Sequence, residues 1–278
     1  MQTTKPLLFL AFSILLFNCS DDDSNASDSG EEQTQFVGDF LPLTLNNQWN
    51  YDVENTDNDT NEVTLSEDVL VIESETATGF SLTVNQGTIA NGVMSGILTS
   101  GDLSLTETTL VSNGTIGLPI DIIDLNIELN NALLYNTEAS VNTELYSLSD
   151  TFTQDLQGFP ISINYTLTTT QLENIESMVV NDMTYNLVTS ANISLELSIS
   201  TEILIPIVNI TQTFSILDQQ SVLSVDSFYA KNIGLIKAEA DSGFTLSNQV
   251  QQLPIDLSMI PTSVSNTNTQ ELTSYILQ

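Results

Sequence analysis

Histidine is absent from this sequence of 278 residues, and cysteine occurs once, at Cys19. Without histidine the chain has no Ser-His-Asp or Cys-His catalytic set and no histidine ligand for a metal ion. A single cysteine excludes an internal disulfide, a CxxC redox pair and a zinc site built from cysteines. Few acid–base groups remain besides carboxylates and lysines, so we do not expect an enzyme.

Positive charge is also scarce. Lys5, Lys231 and Lys237 stand against 36 acidic residues, which gives a net charge of −33. Nucleic-acid binding depends on Lys and Arg side chains that neutralise phosphates, so we expect no nucleic-acid partner. The same imbalance disfavours docking by charge on an anionic lipid surface. It favours solubility, accumulation of cations and repulsion between copies of the chain.

One long hydrophobic run is present, at residues 7–17, and Lys5 precedes it. Its length makes about 16 Å of helix, too short for the ~30 Å core of a bilayer but typical of a secretory signal. The run leads through Asn18 into Cys19. This stretch resembles a lipobox, in which cleavage occurs before a cysteine whose sulfur then carries diacylglycerol.

The prediction is therefore a signal peptide at residues 1–18 and a membrane anchor made by covalent lipid, including palmitate, on Cys19. Several acyl chains on one residue anchor a protein firmly, because each buried CH₂ contributes about 0.8 kcal/mol. An ordinary signal peptide with an incidental cysteine is the alternative, although no A-x-A-like cleavage site lies nearby. Loss of Lys5 with the signal would leave 2 − 36 = −34 for the net charge.

Acidic residues follow the cysteine directly, in the order Ser20, Asp21, Asp22 and Asp23. This stretch resembles the export signal of surface lipoproteins of the Bacteroidota, which implies display on the outer face of the outer membrane. A generic acidic tether is the alternative. Residues 19–35 contain almost no apolar side chains and cannot pack into a core, so we predict a flexible, lipidated tether there. Residues 36–278 are predicted to form one folded domain.

Strand patterns dominate that domain. Apolar and polar residues alternate at residues 123–129, 161–167 and 193–199, which predicts antiparallel strands with one buried face. Turn signals such as Asn91-Gly92 and Asn181-Asp182 separate about ten or eleven candidate strands. Because so many strands rarely stay flat, we expect an all-β fold with one large antiparallel curved sheet, half-barrel or barrel-like. Short helical turns are expected only at residues 129–135 and 171–178.

Three short segments have a familiar form: residues 47–51 (NQWNY), 227–237 (SFYAKNIGLIK) and 271–275 (ELTSY). Together they resemble Bacteroidota lipoproteins of the broad LolA/LolB/LppX-like type. The resemblance implies an open half-barrel of antiparallel strands with an apolar concave face, in a group whose members hold acyl chains or lipoproteins. Independently of it, Gly234 lies between two apolar runs, where a positive φ or a bulge would be needed.

A candidate metal site lies at Asp57, Asp59 and Asn61, whose D-x-D-x-N spacing presents oxygen ligands suited to Ca²⁺. Glu62 stands where an EF-type loop has glycine, and Asp68 stands where it has glutamate. The alternative is a solvated hairpin loop. Ca²⁺ is the only cofactor that the sequence indicates besides the covalent lipid.

Two non-catalytic roles stay open for an outer-membrane lipoprotein of this kind. In the first, the curved sheet binds an apolar ligand or another envelope protein, and an aliphatic cavity wide enough for an acyl chain is expected. In the second, the lipoprotein is structural or adhesive, and its sheet is filled by its own side chains. The shape and contents of the sheet distinguish the two.

Overall fold

The computed structural model describes residues 36–278 apart from 118–125, 206, 208, 258 and 259. Eight strands and one α-helix are described up to residue 136. In chain order they are β1 (Gln48–Asp57), β2 (Glu62–Glu75), β3 (Phe80–Val84), α1 (Val93–Thr99), β4 (Asp102–Leu105), β5 (Thr109–Asn113), β6 (Thr115–Gly117), β7 (Asn126–Glu128) and β8 (Ala132–Asn136).

Longer strands make up the second half of the described chain. They are β9 (Glu144–Leu156), β10 (Phe159–Val180), β11 (Met183–Ile205), β12 (Ile210–Ala230), β13 (Gly234–Thr245) and β14 (Ser263–Ile276), with a 3₁₀ helix at Asn248–Gln252. The β10–β11 hairpin turns at Asn181 and Asp182, which both have positive φ, as expected for a two-residue turn between twisted strands.

Twelve of these strands form one antiparallel sheet in the order β8-β5-β4-β3-β2-β1-β14-β13-β12-β11-β10-β9, and β6 pairs with β7 separately. The predicted all-β class and curved antiparallel sheet are confirmed. The predicted number of strands was slightly low, because strands as short as β4 and β5 have too few residues to display an alternating pattern.

The sheet closes almost completely on itself, because side chains of β10 hold the opposite edge strand, β8. Gln171 accepts a hydrogen bond from the backbone N–H of Asn136 (2.9 Å), and Thr169 donates to the carbonyl of Leu133 (2.6 Å). The sheet is therefore barrel-like, and side chains rather than a complete backbone ladder join the edge strand β8 to β10, the neighbour of the other edge strand, β9.

The alternating segments place their apolar residues inside. Ile193, Leu195, Leu197 and Ile199 are all buried on β11, as the period of two predicts. Residues 161–167 behave similarly on β10, although Tyr165 is only half-buried. Of the segment at residues 123–129, the part up to residue 125 lies outside the described residues.

The helical turns predicted at residues 129–135 and 171–178 were wrong, because β8 covers most of the first and β10 all of the second. The helix forms instead at α1, directly after Asn91-Gly92. Met94, Ile97 and Leu98 are buried on one face of α1. Their spacing matches a helical period, but the segment is so short that packing, not propensity, stabilises it.

Candidate functional site

The three segments that carry the family resemblance come together in the fold. They lie on β1, across the β12–β13 turn and on β14, and these strands are consecutive neighbours in the sheet. The Trp49 indole N–H donates to the carbonyl of Ile233 (2.6 Å), and the Tyr51 hydroxyl donates to that of Leu235 (3.0 Å). Both rings are buried, so this joint contributes to packing and offers no surface to a ligand.

Gly234 explains the shape of the joint. Its φ is +120°, and a Cβ placed on it would lie 2.7 Å from Nε1 of Trp49. The pairing of β12 with β13 has a bulge just beyond Gly234. Tyr229 pairs with Leu235, but the preceding residue, Phe228, pairs with Lys237, so Ile236 is the extra residue. The prediction of a positive φ or a bulge here is confirmed, and both occur.

An aromatic cluster fills the end of the barrel where the described chain begins. Phe36 stacks on Phe40, Phe40 meets Tyr135 at a centroid distance of 6.1 Å, and Tyr135 lies 5.0 Å from Tyr229. Tyr135 belongs to β8 and Tyr229 to β12, which are far apart in the order of the sheet. Because β8 closes onto β10, this contact links the two sides of the closure, and burial raises the pKa of both hydroxyls.

The helix α1 lies against the inner face of the sheet, where the buried carboxylate of Asp68 holds its start. Asp68 accepts hydrogen bonds from the backbone N–H groups of Asn91 (3.0 Å) and Gly92 (2.8 Å). The side chains of Asn85 (2.7 Å) and Asn91 (3.1 Å) donate to it as well. The helix has no side-chain cap of its own, so the sheet supplies the missing acceptor.

Two amides on β14 complete this arrangement. Asn268 accepts from the backbone N–H of Val93 (3.1 Å), and Gln270 accepts from that of Ser95 (3.2 Å). Gln270 also donates to the hydroxyl of Ser95 (2.9 Å). Every polar contact here is made within the protein, which indicates a structural attachment of α1 and not a site with free ligand-binding groups.

Bulky side chains occupy the interior. The largest fully buried ones are Trp49, Tyr51, Tyr135, Tyr229, Phe40, Leu41, Leu70, Ile72, Met94, Leu98, Leu103 and Leu110. They come from both halves of the sheet, from α1 and from the segment before β1. They belong to one hydrophobic core, as in small barrels filled by side chains.

A groove lies outside, across the solvent side of β2, β1 and β14. Its volume is about 510 Å³, and its walls are Asp52, Val53, Glu54, Leu65, Ser66, Glu67, Asn181, Thr269 and Glu271. Lys237 is at its margin and pairs with Glu271 (3.2 Å) and Glu239 (2.9 Å). Partial burial lowers the pKa of Lys237, but its hydrogen bonds to both carboxylates leave it raised.

The predicted calcium ligands lie together in the β1–β2 turn. The carboxylate of Asp57 accepts from the backbone N–H groups of Asp59 (2.8 Å) and Thr60 (3.0 Å), and the bond from Thr60 lowers its pKa. Asn61 has a positive φ of 58° that closes the turn. No group of three or more acidic or cysteine side chains suited to a metal occurs among the described residues. The calcium site stays a prediction.

The predicted lipid anchor, Cys19, and the predicted export signal, Ser20, Asp21, Asp22 and Asp23, lie outside the described residues. Within the described part of the chain, no helix is long and apolar enough to cross a membrane.

One surface feature was missed by the sequence analysis. At the tip of the β11–β12 hairpin, Leu204, Ile207 and Ile210 are 54%, 95% and 58% exposed. We call these three residues the apolar tip. Its signal in the sequence is the run at residues 203–210, in which nearly every residue is apolar and polar residues do not alternate.

Comparisons with known proteins place no relative beside this chain. No protein-family model, no curated protein and no solved structure matches it.

Proposed function

We propose that this chain is a non-catalytic lipoprotein of the outer membrane, anchored by acylated Cys19 and displayed on the cell surface by the acidic residues that follow. The observation that carries the proposal is the hydrophobic run at residues 7–17, which ends next to the only cysteine of the chain. The apolar-poor residues 19–35 then fill the interval to Phe36, where the described fold begins.

The interior of the domain supports a role for its outer surface. Trp49, Tyr51, Tyr135 and Tyr229 are fully buried in one hydrophobic core, as expected for a barrel filled by its own side chains. The groove of about 510 Å³ lies outside and is lined by several carboxylates, so it does not suit an apolar ligand. We therefore propose a structural, adhesive or partner-binding lipoprotein in preference to a carrier of an apolar ligand.

The experiment for the anchor replaces Cys19 by Ala in the full-length chain. We expect the Cys19→Ala protein to leave the membrane fraction, because without the thiol no lipid can be attached. Asn18→Ala is the matched control and should stay with the membrane. Fractionation measures the release, and intact-mass analysis of the wild type should find a mature chain that begins at an acylated Cys19.

Two outcomes would contradict this proposal. In one, the Cys19→Ala protein remains in the membrane fraction at the wild-type level. In the other, the wild-type chain carries no acyl mass or retains residues 1–18. Surface display is examined by adding protease to intact cells, and full protection of the domain would show that it faces the periplasm.

A further inference from the structure

The apolar tip has aliphatic side chains on both faces of the hairpin. Leu204 pairs with Thr211 on β12, and the next pair towards the turn is Ile205 with Ile210. Successive pairs in a strand face opposite sides, so Leu204 and Ile210 project in opposite directions while Ile207 lies in the turn between them. A hairpin end with aliphatic side chains on both faces suits insertion into a pocket better than lying flat on a surface.

The tip lies far from the place where the chain enters the domain. At that place the backbone N–H of Asn232, just after β12, donates to the carbonyl of Asp39 (2.6 Å). The tip is at the other end of β12, whose 21 residues make about 65 Å of strand path. The apolar tip and the place where the chain enters the domain are therefore at opposite ends of β12.

The surroundings of the tip are acidic. Glu202 is exposed on β11, two residues before Leu204, and Asp155 is exposed on β9, at the neighbouring β9–β10 turn. The two lysines of the described chain, Lys231 and Lys237, lie at or beyond the opposite end of β12. The tip therefore presents three aliphatic side chains within a field of negative charge.

The negative charge near the apolar tip helps to decide which kind of partner binds it. A second copy would bring the same excess of acidic groups, so like charges would oppose self-association. A lipid surface is usually engaged through Trp or Tyr belts and through Lys or Arg, and residues 198–213 contain none of these. A protein with an apolar pocket bordered by basic side chains complements both properties of the tip.

We propose that the apolar tip docks into an apolar pocket, bordered by Lys and Arg side chains, on another envelope protein. This deepens the proposed function by naming the contact surface and the chemistry of the partner. Aliphatic burial supplies affinity, and the acidic side chains next to the tip steer the approach and add dependence on salt.

The first experiment places a photo-crosslinking amino acid at position 207 of the full-length chain in cells of the source organism. The matched control places it at Ile89, which is also almost fully exposed (91%) but lies before α1. We expect a discrete protein adduct from position 207 and not from position 89. Mapping of the adduct should locate a segment of the partner that contains both apolar and basic residues.

The second experiment measures the affinity of that partner, once purified, for the full chain carrying Cys19→Ser, which removes the acylation site. Ile207→Ser should weaken binding about tenfold, as expected for the loss of one buried aliphatic contact, while Ile89→Ser changes it less than about twofold. Raising the salt from about 0.05 M to about 0.5 M should weaken binding further. Thermal unfolding verifies that both variants fold.

Several results would overturn the proposal: equal adducts from positions 207 and 89, no discrete adduct from position 207, an adduct with lipid or with a second copy, or equal affinities of the two serine variants. The affinity comparison does not depend on the anchor, because it uses a chain in which Cys19 is replaced, and membrane fractionation of the cells used for crosslinking reports on the anchor separately. Failure of the docking surface and failure of the membrane anchor can thus be told apart.

Discussion

Among single residues, Gly234 best illustrates how one backbone position shapes the domain. It follows the β12–β13 turn, and its hydrogen atom faces the ring of Trp49, which in turn donates to the neighbouring Ile233 carbonyl. A side chain here would meet the indole and also Leu41, whose Cδ1 lies 3.2 Å from the Cβ position. The positive φ and the close packing each disfavour a side chain at position 234, so glycine is required there.

Replacement of Gly234 by Ala should destabilise the domain strongly. Alanine at this φ costs about 1–2 kcal/mol in the backbone, and displacement of the Trp49 ring should bring the total loss to about 3–4 kcal/mol. Gly158→Ala is the control, because Gly158 also has a positive φ (86°) but no atom within 4 Å of its Cβ position. Urea unfolding followed by Trp fluorescence measures both; similar losses in the two variants would contradict the packing argument.

Among the elements, α1 is the one whose position depends most on distant residues. Its first N–H groups have no acceptor within the helix and bind Asp68 on β2 and two amides on β14. The buried Asp68 carboxylate has no positive partner in these contacts and is balanced by neutral donors. Such an arrangement is stable only while every donor stays in place.

Asp68→Asn should therefore loosen α1. An amide at this position keeps one acceptor oxygen but turns an NH₂ group towards N–H donors, so we expect a loss of about 3 kcal/mol or more. Asp102→Asn is the control, because Asp102 also accepts from two hydroxyls, Thr76 and Thr78, but at the surface, and should lose less than about 1 kcal/mol. Hydrogen exchange of α1 should accelerate only in Asp68→Asn; unchanged exchange there would count against this role of the carboxylate.

Whether a feature depends on neighbouring residues or on residues distant in the chain decides whether the sequence could predict it. The strand at residues 193–199 was predictable, because its period of two is local and its burial follows from that period. The attachment of α1 was not, since its acceptors Asp68 and Gln270 are distant in the chain and no local pattern links them. The apolar tip had a local signal at residues 203–210, but only the hairpin register shows that it faces solvent on both sides.

At the scale of the whole molecule, uncompensated negative charge is the dominant property. Residues 36–278 contain two lysines, Lys231 and Lys237, and Lys237 pairs with Glu239 and Glu271. The acidic groups consequently repel one another in the folded state more than in the expanded unfolded chain. Since exposed ion pairs contribute little, added salt has few favourable contacts to weaken and many repulsive ones to screen.

This imbalance predicts that salt stabilises the domain, the reverse of what is expected where surface ion pairs dominate. Raising NaCl from about 0.02 M to about 0.5 M shortens the Debye length from roughly 20 Å to about 4 Å, so the urea midpoint at pH 7 should rise. A variant with Asp52→Asn, Glu54→Gln and Glu67→Gln, which neutralises three walls of the outer groove, should begin from a higher midpoint and respond less to salt. Sucrose at matched osmolality controls for solvent exclusion. If the midpoint instead falls with salt, attraction between charges must outweigh repulsion in the fold, and uncompensated negative charge would not be what limits its stability.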